Sequence, residues 1–232
     1  MEDGRSTPEN LKVLYEDNHL IVINKRCGDI VQGDKTGDLP LSEVVKAFLK
    51  HKHNKPGNVY LGVVHRLDRP TSGIILFAKT SKALSRLNKL FATGGTKKTY
   101  WALVQKKDLP NTKTTLVNWL IRNPKQNKSY AYVKEVPNSK KAILDFEVVK
   151  RLDHYLLLEI DLKTGRHHQI RSQLASMGVF IKGDLKYGAA RSNTNGGIHL
   201  HARQLAFEHP VKKEVMRFTA PLPQDPLWQA CQ

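Results

Sequence analysis

One acidic side chain lies between two arginines in the polar segment 65–72. Arg66, Asp68 and Arg69 are close in sequence, and two nearby guanidinium groups favour the ionised form of a carboxyl group even where it is partly buried. The sequence therefore predicts that Asp68 is a carboxylate at pH 7. The same pattern suits a turn in which Asp68 accepts backbone hydrogen bonds and residues 71–73 lead into a strand. From this loop alone, the structural interpretation is favoured.

A second polar segment, residues 163–171, leads into a predicted helix whose N-terminus favours phosphate or another anion. Its last residue, Arg171, follows Ile170 and shares the helix with Leu174, so it is expected to border the core. A buried guanidinium must be paired with an acid. Asp68 is the candidate partner, although an ordinary structural salt bridge would have the same sequence pattern.

Apolar periodicity predicts the elements that position these segments. Three helices are expected. The first begins at Leu41, with Ser42 as a possible cap, the second is capped by Ser81, and the third covers residues 167–177. Strands are expected over residues 11–15, 20–24, 60–64, 73–79, 98–104, 142–150, 154–162, 200–207 and 211–218. The sum is an α+β fold, a large mixed and mostly antiparallel sheet with flanking helices. Residues 1–10 are expected to be a flexible tail, and residues 11–232 a single domain.

The composition indicates a folded, strongly basic protein. The 232 residues carry a formal net charge of +17 with 40% hydrophobic residues, which excludes disorder of the whole chain. No apolar run approaches the roughly 18 residues of a membrane span, and the N-terminus lacks a secretion signal. The two cysteines, Cys27 and Cys231, have no partner spacing. A cytoplasmic protein without a membrane partner is expected.

The positive charge favours a nucleic-acid partner. Residues 97–141 alone contain eleven Lys and Arg and two acidic residues. A solvated basic face is the more ordinary explanation for any single lysine, but it does not explain the whole excess. The interleaved aromatic residues suit base stacking, although alternating aromatics in strands are more often core.

The histidines offer a metal-site alternative, which the sequence does not favour. His199 and His201 would share one face of a strand, with His209 or the pair 167–168 as further ligands. No third ligand stands at a convincing metal spacing. His51 and His53 are expected at a solvated helix end.

Several segments together resemble the RluA-type pseudouridine synthases. The loop 65–73 is similar to the family's HRLD-x-x-TSG motif, and segment 164–171 to TGR-x-HQIR. Similar motifs follow in family order at residues 13–25, 98–104, 183–188 and 200–210. The resemblance covers about residues 11–223. The sequence departs from the family pattern at Pro70 and in the polar stretch 27–34. The S4 domain that many relatives carry at the N-terminus is not expected before the first motif.

The resemblance implies a fold and a set of site residues. The fold would be a pseudouridine synthase catalytic domain with a central active-site cleft, acting without a cofactor or metal. Asp68 would be the catalytic aspartate, Tyr100 the active-site tyrosine, and Arg171 the basic partner of Asp68. Arg66 would fill the place of the flipped base in the RNA. The other expected substrate-binding residues are His65, Arg69, Lys98, Arg166 and His168.

The implied reaction converts uridine in RNA to pseudouridine. The N1–C1′ bond breaks and the same base rejoins through C5, so that charge develops at C1′. Two roles for Asp68 stay open, addition to C1′ and removal of the 2′ proton. Ribosomal RNA is favoured over transfer RNA, and a monomer is expected. The alternative is a non-catalytic RNA-binding or ribosome-assembly protein with the same fold. The variant Asp68→Asn separates the two, because an enzyme would lose turnover and keep RNA binding, whereas a pure RNA-binding protein has no turnover.

Overall fold

The computed structural model describes residues 4–110 and 112–232. The described chain divides into two compact units. Unit 1 contains residues up to Thr96 together with Ala202–Pro223, and unit 2 contains Lys97–His201 and Gln224–Gln232. The two units are described separately below.

The strands of unit 1 are β1 (Val13–Glu16), β2 (Leu20–Lys25), β3 (Gly62–Val63), β4 (Ser72–Ala78), most of β10 (Leu200–Glu208) and β11 (Val215–Thr219). The strands β2 and β4 are almost entirely buried. The strand order of unit 1 is β1-β2-β4-β10, with β3 on β4 and β11 on β10. The β1–β2, β2–β4, β3–β4 and β10–β11 pairs are antiparallel. All seven residues of β4 are buried, as expected for a strand covered on both sides.

Two helices complete unit 1, α1 (Leu41–Lys52) and α2 (Ser81–Ala92). Both predicted helices are confirmed, but both predicted caps are wrong. Ser42 lies inside α1, where the backbone N–H groups of Leu41 and Ser42 donate to the carbonyls of Ile30 and Val31 at 2.7 and 3.2 Å. The cap of α2 is Thr80, whose hydroxyl accepts from the N–H of Ala83.

The N-terminal segment is hydrogen-bonded to the rest of unit 1 at Ser6. Ser6 is buried, and its backbone N–H and hydroxyl donate to the two carboxylate oxygens of Asp29 at 2.9 and 2.7 Å. The flexible tail predicted over residues 1–10 is therefore not loose at Ser6. Residues 1–3 of that prediction lie outside the described residues.

The strands of unit 2 are β5 (Thr96–Gln105), β6 (Thr114–Asn123), β7 (Lys128–Tyr132), β8 (Lys140–Arg151) and β9 (Tyr155–Leu162). Their order in the sheet is β5-β9-β8-β6-β7, and each neighbouring pair is antiparallel. The buried apolar residues of unit 2 include Ala102, Leu144, Phe146 and Leu158. The β6–β7 hairpin was not predicted, because its outward positions carry large apolar and aromatic residues that obscure the alternation.

The helices of unit 2 are α3 (Gln169–Ser176) and the short α4 (Pro226–Gln229), with one 3₁₀ turn at Leu185–Tyr187. The helix predicted over 167–177 is confirmed with narrower bounds. In the described part of the chain, no helix combines the length and the apolar character needed to cross a membrane.

Candidate active site

Asp68 lies in the loop between β3 and β4 of unit 1. The buried Leu67 anchors this loop in the core, and Asp68 itself is half-buried. The backbone carbonyl of Asp68 accepts from the N–H of Thr71 at 3.0 Å, which closes a turn. The turn therefore exists, as the structural interpretation predicted, and it leaves the carboxylate of Asp68 outside the turn hydrogen bond.

A buried lysine supports the same loop. Lys25, at the end of β2, is only 1% exposed, and its ammonium group donates to the carbonyls of Arg26 and Arg69 at 2.8 and 3.2 Å. Burial lowers the pKa of Lys25 to about 8, although the negative charges of Asp29 and Asp68 act in the opposite direction. The ammonium group thus holds the loop backbone beside Asp68 and attracts its carboxylate.

The neighbours of Asp68 in the motif have different surroundings. Arg66 is exposed. His65 accepts the backbone N–H of Leu76 at 3.1 Å through Nε2 and stacks on Phe91, so it attaches the loop to β4. Arg69 donates to Thr36 at 3.0 Å and also contacts the carboxylate of Asp38. Substrate binding by His65 and Arg69 stays a prediction, and the structure gives each of them a structural contact.

In unit 2, the loop before α3 is held by Gln169. The amide oxygen of Gln169 accepts from the Thr164 hydroxyl at 2.8 Å and from the Arg166 N–H at 3.0 Å. Its amide nitrogen donates to the carbonyl of Ile143 in β8 at 3.1 Å. These three contacts of the Gln169 side chain determine the path of the loop. The exposed side chain of Arg166, in the same loop, donates to the carbonyl of Lys141.

Tyr187 connects this loop to the β6–β7 hairpin. Its hydroxyl accepts the N–H of Ser129 at 2.8 Å, lies 3.1 Å from the Ser129 carbonyl and lies 3.0 Å from Nδ1 of His168. His168 adopts a left-handed conformation with φ 52° immediately before α3. His167 stacks on His168 and contacts the Ser129 hydroxyl at 2.9 Å. The buried His168 therefore orients the start of α3.

Arg171 is paired with an acid, as its position beside the core predicts. The acid is Asp184: Nε and Nη2 of Arg171 lie 2.7 and 2.8 Å from Oδ2 and Oδ1. The exposed fractions of the two side chains are 5% and 2%. The guanidinium also lies over the ring of Tyr187, 5.0 Å from its centroid. Pairing of Arg171 with Asp68 stays a prediction.

Tyr100 and Lys98 lie on β5 in unit 2. Tyr100 is buried and lies opposite Ile160 of β9. Burial lowers the pKa of Lys98, against the attraction of Asp161. The Lys98 ammonium group is 4.0 Å from the position that a Cβ of Gly165 would occupy. Lys98 and the loop that carries Arg166 are thus neighbours.

The histidines of the metal-site alternative have other partners. Both ring nitrogens of His199 are engaged, Nε2 by Asp225 at 3.1 Å and Nδ1 by Asn193 at 2.9 Å. His209 contacts Asp17 through Nε2 at 2.9 Å and accepts backbone N–H groups through Nδ1. Among residues 4–110 and 112–232, no group of three or more His, Cys, Asp or Glu side chains is arranged to hold a metal ion.

Three site residues were missed by sequence reasoning: Lys25, Asp184 and Tyr187. All three stand within segments that resemble family motifs, so a signal was present. The residue type alone did not show that a lysine would be buried beside Asp68, or that Asp184 and Tyr187 would contact Arg171.

Comparisons with known proteins identify the family of the chain. Residues 19–176 match the family described as RNA pseudouridylate synthase, a match that includes parts of both units. The chain is 34% identical to the uncharacterised RNA pseudouridine synthase YjbO of Bacillus subtilis, over 94% of this chain and 75% of that protein. It is 32% identical to the ribosomal large subunit pseudouridine synthase C of Vibrio parahaemolyticus, over 90% of this chain and 65% of that protein.

Solved structures show the same fold. The human RNA pseudouridylate synthase domain containing 4 matches with a TM-score of 0.78 and 25% identity, over 92% of this chain and 89% of that chain. The human RNA pseudouridylate synthase domain containing 1 matches with a TM-score of 0.74 and 23% identity, over 98% and 90%. The predicted α+β pseudouridine synthase fold is confirmed. By its sequence and its fold, the chain belongs to the RNA pseudouridylate synthase family, of the RluA type.

Proposed function

We propose that this enzyme isomerises specific uridines of ribosomal RNA to pseudouridine and that Asp68 is its catalytic carboxylate. Family membership supports the reaction. Relatives named ribosomal large subunit pseudouridine synthase C and D support the choice of ribosomal RNA. The observation that carries the choice of residue is the loop of Asp68, whose carbonyl closes a turn while Lys25 holds the adjacent backbone.

The reaction moves one glycosidic bond within the same nucleotide. The N1–C1′ bond breaks, the base rotates, a C5–C1′ bond forms, the C5 proton leaves and N1 ends with a proton. Charge that develops at C1′ needs a nearby carboxylate, which acts either on C1′ or on the 2′ proton. Both routes use the carboxylate of Asp68, and the ammonium group of Lys25 holds the backbone carbonyl of the adjacent Arg69.

The other proposed residues act around this step. Tyr100 stacks on the extruded base and assists removal of the C5 proton. Arg171 is the basic partner that orients Asp68. Arg66, exposed on the same loop as Asp68, fills the gap that the extruded base leaves in the RNA, which offsets part of the cost of unstacking.

The substrate contacts are proposed at the polar residues around these segments, namely His65, Arg69, Lys98, Arg166 and His168. We propose further that residues 11–232 act as one catalytic domain, as a monomer in the cytoplasm. The family match across residues 19–176 supports a single catalytic domain.

Tritium release from RNA labelled at uridine C5 tests the proposal. Ribosomal and transfer RNA are taken from a strain that lacks this gene and incubated with the wild type, with Asp68→Asn and with Asp34→Asn, a matched change at an exposed aspartate. We expect release from ribosomal RNA by the wild type and by Asp34→Asn only, with RNA binding retained by all three. Release by Asp68→Asn at the wild-type rate would contradict the assignment of Asp68, and absence of release by the wild type would contradict the reaction.

A further inference from the structure

The β6–β7 hairpin carries three aromatic rings on one face. In the antiparallel register, Trp119 lies opposite Tyr132, and Ile121 lies opposite Tyr130. Directly opposed residues of an antiparallel pair point to the same side of the sheet, as do alternate residues of one strand. Trp119, Tyr130 and Tyr132 therefore form one surface, which we call the aromatic hairpin face.

The two tyrosines of the aromatic hairpin face are open to solvent and Trp119 is half-buried, whereas the opposite side of the hairpin is packed. Tyr130 is 38% exposed and Tyr132 is 41% exposed. Ser129 and Leu120, whose side chains point to the other side, are buried. The core of unit 2 thus uses one side of the hairpin and leaves the rings of the other side available for contacts.

Positive charge surrounds these rings. The ammonium group of Lys128 lies 5.6 Å from the ring centroid of Tyr130, and that of Lys141 lies 5.9 Å from the ring centroid of Trp119. A base that stacks on either ring would bring its phosphate close to a lysine. Two further exposed basic side chains lie beside the hairpin, Lys125 in the turn between its strands and Lys134 just after β7.

We propose that the aromatic hairpin face binds an unpaired segment of the substrate RNA, with bases stacked on the tyrosines and phosphates at the lysines. This inference rests on the proposed function for its substrate. Aromatic rings interleaved with basic residues are the usual arrangement for binding single-stranded nucleic acid. The charge complementarity of a basic surface and a polyanion selects RNA as the occupant.

The ring spacing indicates why the segment is unpaired. Tyr130 and Tyr132 are two residues apart on one strand, which separates their Cα atoms by about 6.8 Å. Successive stacked bases of one duplex strand are only about 3.4 Å apart. Two bases that stack on these two rings are therefore not stacked on each other. Bases separated in this way belong to a loop or a single strand.

A purely structural role is the competing explanation, because cross-strand aromatic pairs also stabilise a hairpin. The double variant Tyr130→Ala/Tyr132→Ala separates the two explanations when it is compared with Tyr130→Phe/Tyr132→Phe and with Tyr60→Ala. Tyr60 is a 46% exposed tyrosine outside the hairpin. The urea unfolding midpoint of each variant shows whether it is folded under the binding conditions.

Fluorescence anisotropy with a labelled oligouridylate of about 12 nucleotides, and with an RNA duplex of the same length, measures the affinity. We expect the double alanine variant to bind the single strand at least about tenfold more weakly than the wild type. The double phenylalanine variant and Tyr60→Ala should bind it like the wild type, and the duplex should be affected less than twofold. Single-strand binding by the folded double alanine variant within twofold of the wild type would overturn the proposal, as would an equal loss on the duplex.

Two further readouts sharpen the test. Lys141→Gln should reduce the slope of log affinity against log salt for the single strand by about 0.7 if one phosphate contact is lost, while Lys82→Gln, at an exposed lysine of α2, should leave it unchanged. An unchanged slope for Lys141→Gln would contradict the phosphate contact.

Tritium release measured on the same samples tests the proposed function separately. An inactive wild type with the expected oligouridylate binding would contradict the reaction and leave the binding face supported.

Discussion

The guanidinium of Arg171 is held by both carboxylate oxygens of Asp184, through contacts of 2.7 and 2.8 Å between two buried side chains. A buried ion pair with two parallel hydrogen bonds allows the guanidinium little freedom to rotate. The stacking of Arg171 on Tyr187 restricts it further. Asp184 is therefore the residue that determines the orientation of Arg171 within unit 2.

Removal of the charge of Asp184 should destabilise the protein strongly. Asp184→Asn leaves the Arg171 guanidinium buried without its compensating charge, which costs about 3–5 kcal/mol of unfolding free energy. Glu43→Gln, which breaks the exposed pair with Lys46, should cost less than about 1 kcal/mol. Urea unfolding measures both, and similar losses for the two variants would contradict the assigned importance of the buried pair.

Replacement of both partners should separate folding from activity. In Arg171→Met/Asp184→Leu no buried charge is left, so most of the stability lost in Asp184→Asn should return. Tritium release should still fall by at least about 100-fold, because Asp68 loses its proposed basic partner. A stable double variant with wild-type release would show that the pair is structural only.

Removal of one hydroxyl should weaken the connection between the hairpin and the 3₁₀ turn. Tyr187→Phe retains the ring under Arg171 but leaves the backbone N–H of the buried Ser129 without the Tyr187 hydroxyl as acceptor. The expected loss of unfolding free energy is about 1–3 kcal/mol. Urea unfolding with Tyr60→Phe as the control measures it, and equal stability of the two variants would refute this role.

The motif glycine at the start of β4 should not tolerate a side chain. A Cβ on Gly73 would clash with the carbonyl oxygen of Ala202 in β10. The backbone φ of +112° is also unfavourable for other residues. Gly28 also has a positive φ, +90°, but open space around its Cβ position. Gly73→Ala should therefore lose more unfolding free energy than Gly28→Ala, for which backbone strain of about 1–2 kcal/mol is expected. Urea unfolding compares them, and the reverse order would contradict the close approach of β10.

Lys25 should make stability depend on alkaline pH. Its pKa is lowered by burial from the usual 10.5 to about 8 in the folded protein, so between these values the unfolded chain binds more protons. Folding stability should then rise with pH from about 8 to 10.5, by about 3 kcal/mol relative to Lys25→Met. Urea unfolding of both proteins at pH 7, 8, 9 and 10 measures the difference, and a constant difference would contradict the lowered pKa.

The order of the motifs and the residue types were sufficient to predict the family, the α+β class and the position of Asp68 in a loop between strands. The apolar period of the segment around Ile170 and Leu174 predicted α3 and the burial of Arg171. These predictions succeed because periodicity and polarity are local properties, which determine the face of an element and the side chains that need partners.

Only the tertiary structure decided which partners those side chains have. The acid beside Arg171 is Asp184, and the hydroxyl of Tyr187 contacts Ser129, 58 positions away in sequence. The first N–H groups of α1 donate to backbone carbonyls of Ile30 and Val31 in place of a side-chain cap. A polar group requires a partner of suitable chemistry, which the sequence shows, but the identity of that partner depends on which segments the folded chain brings within about 3 Å of it.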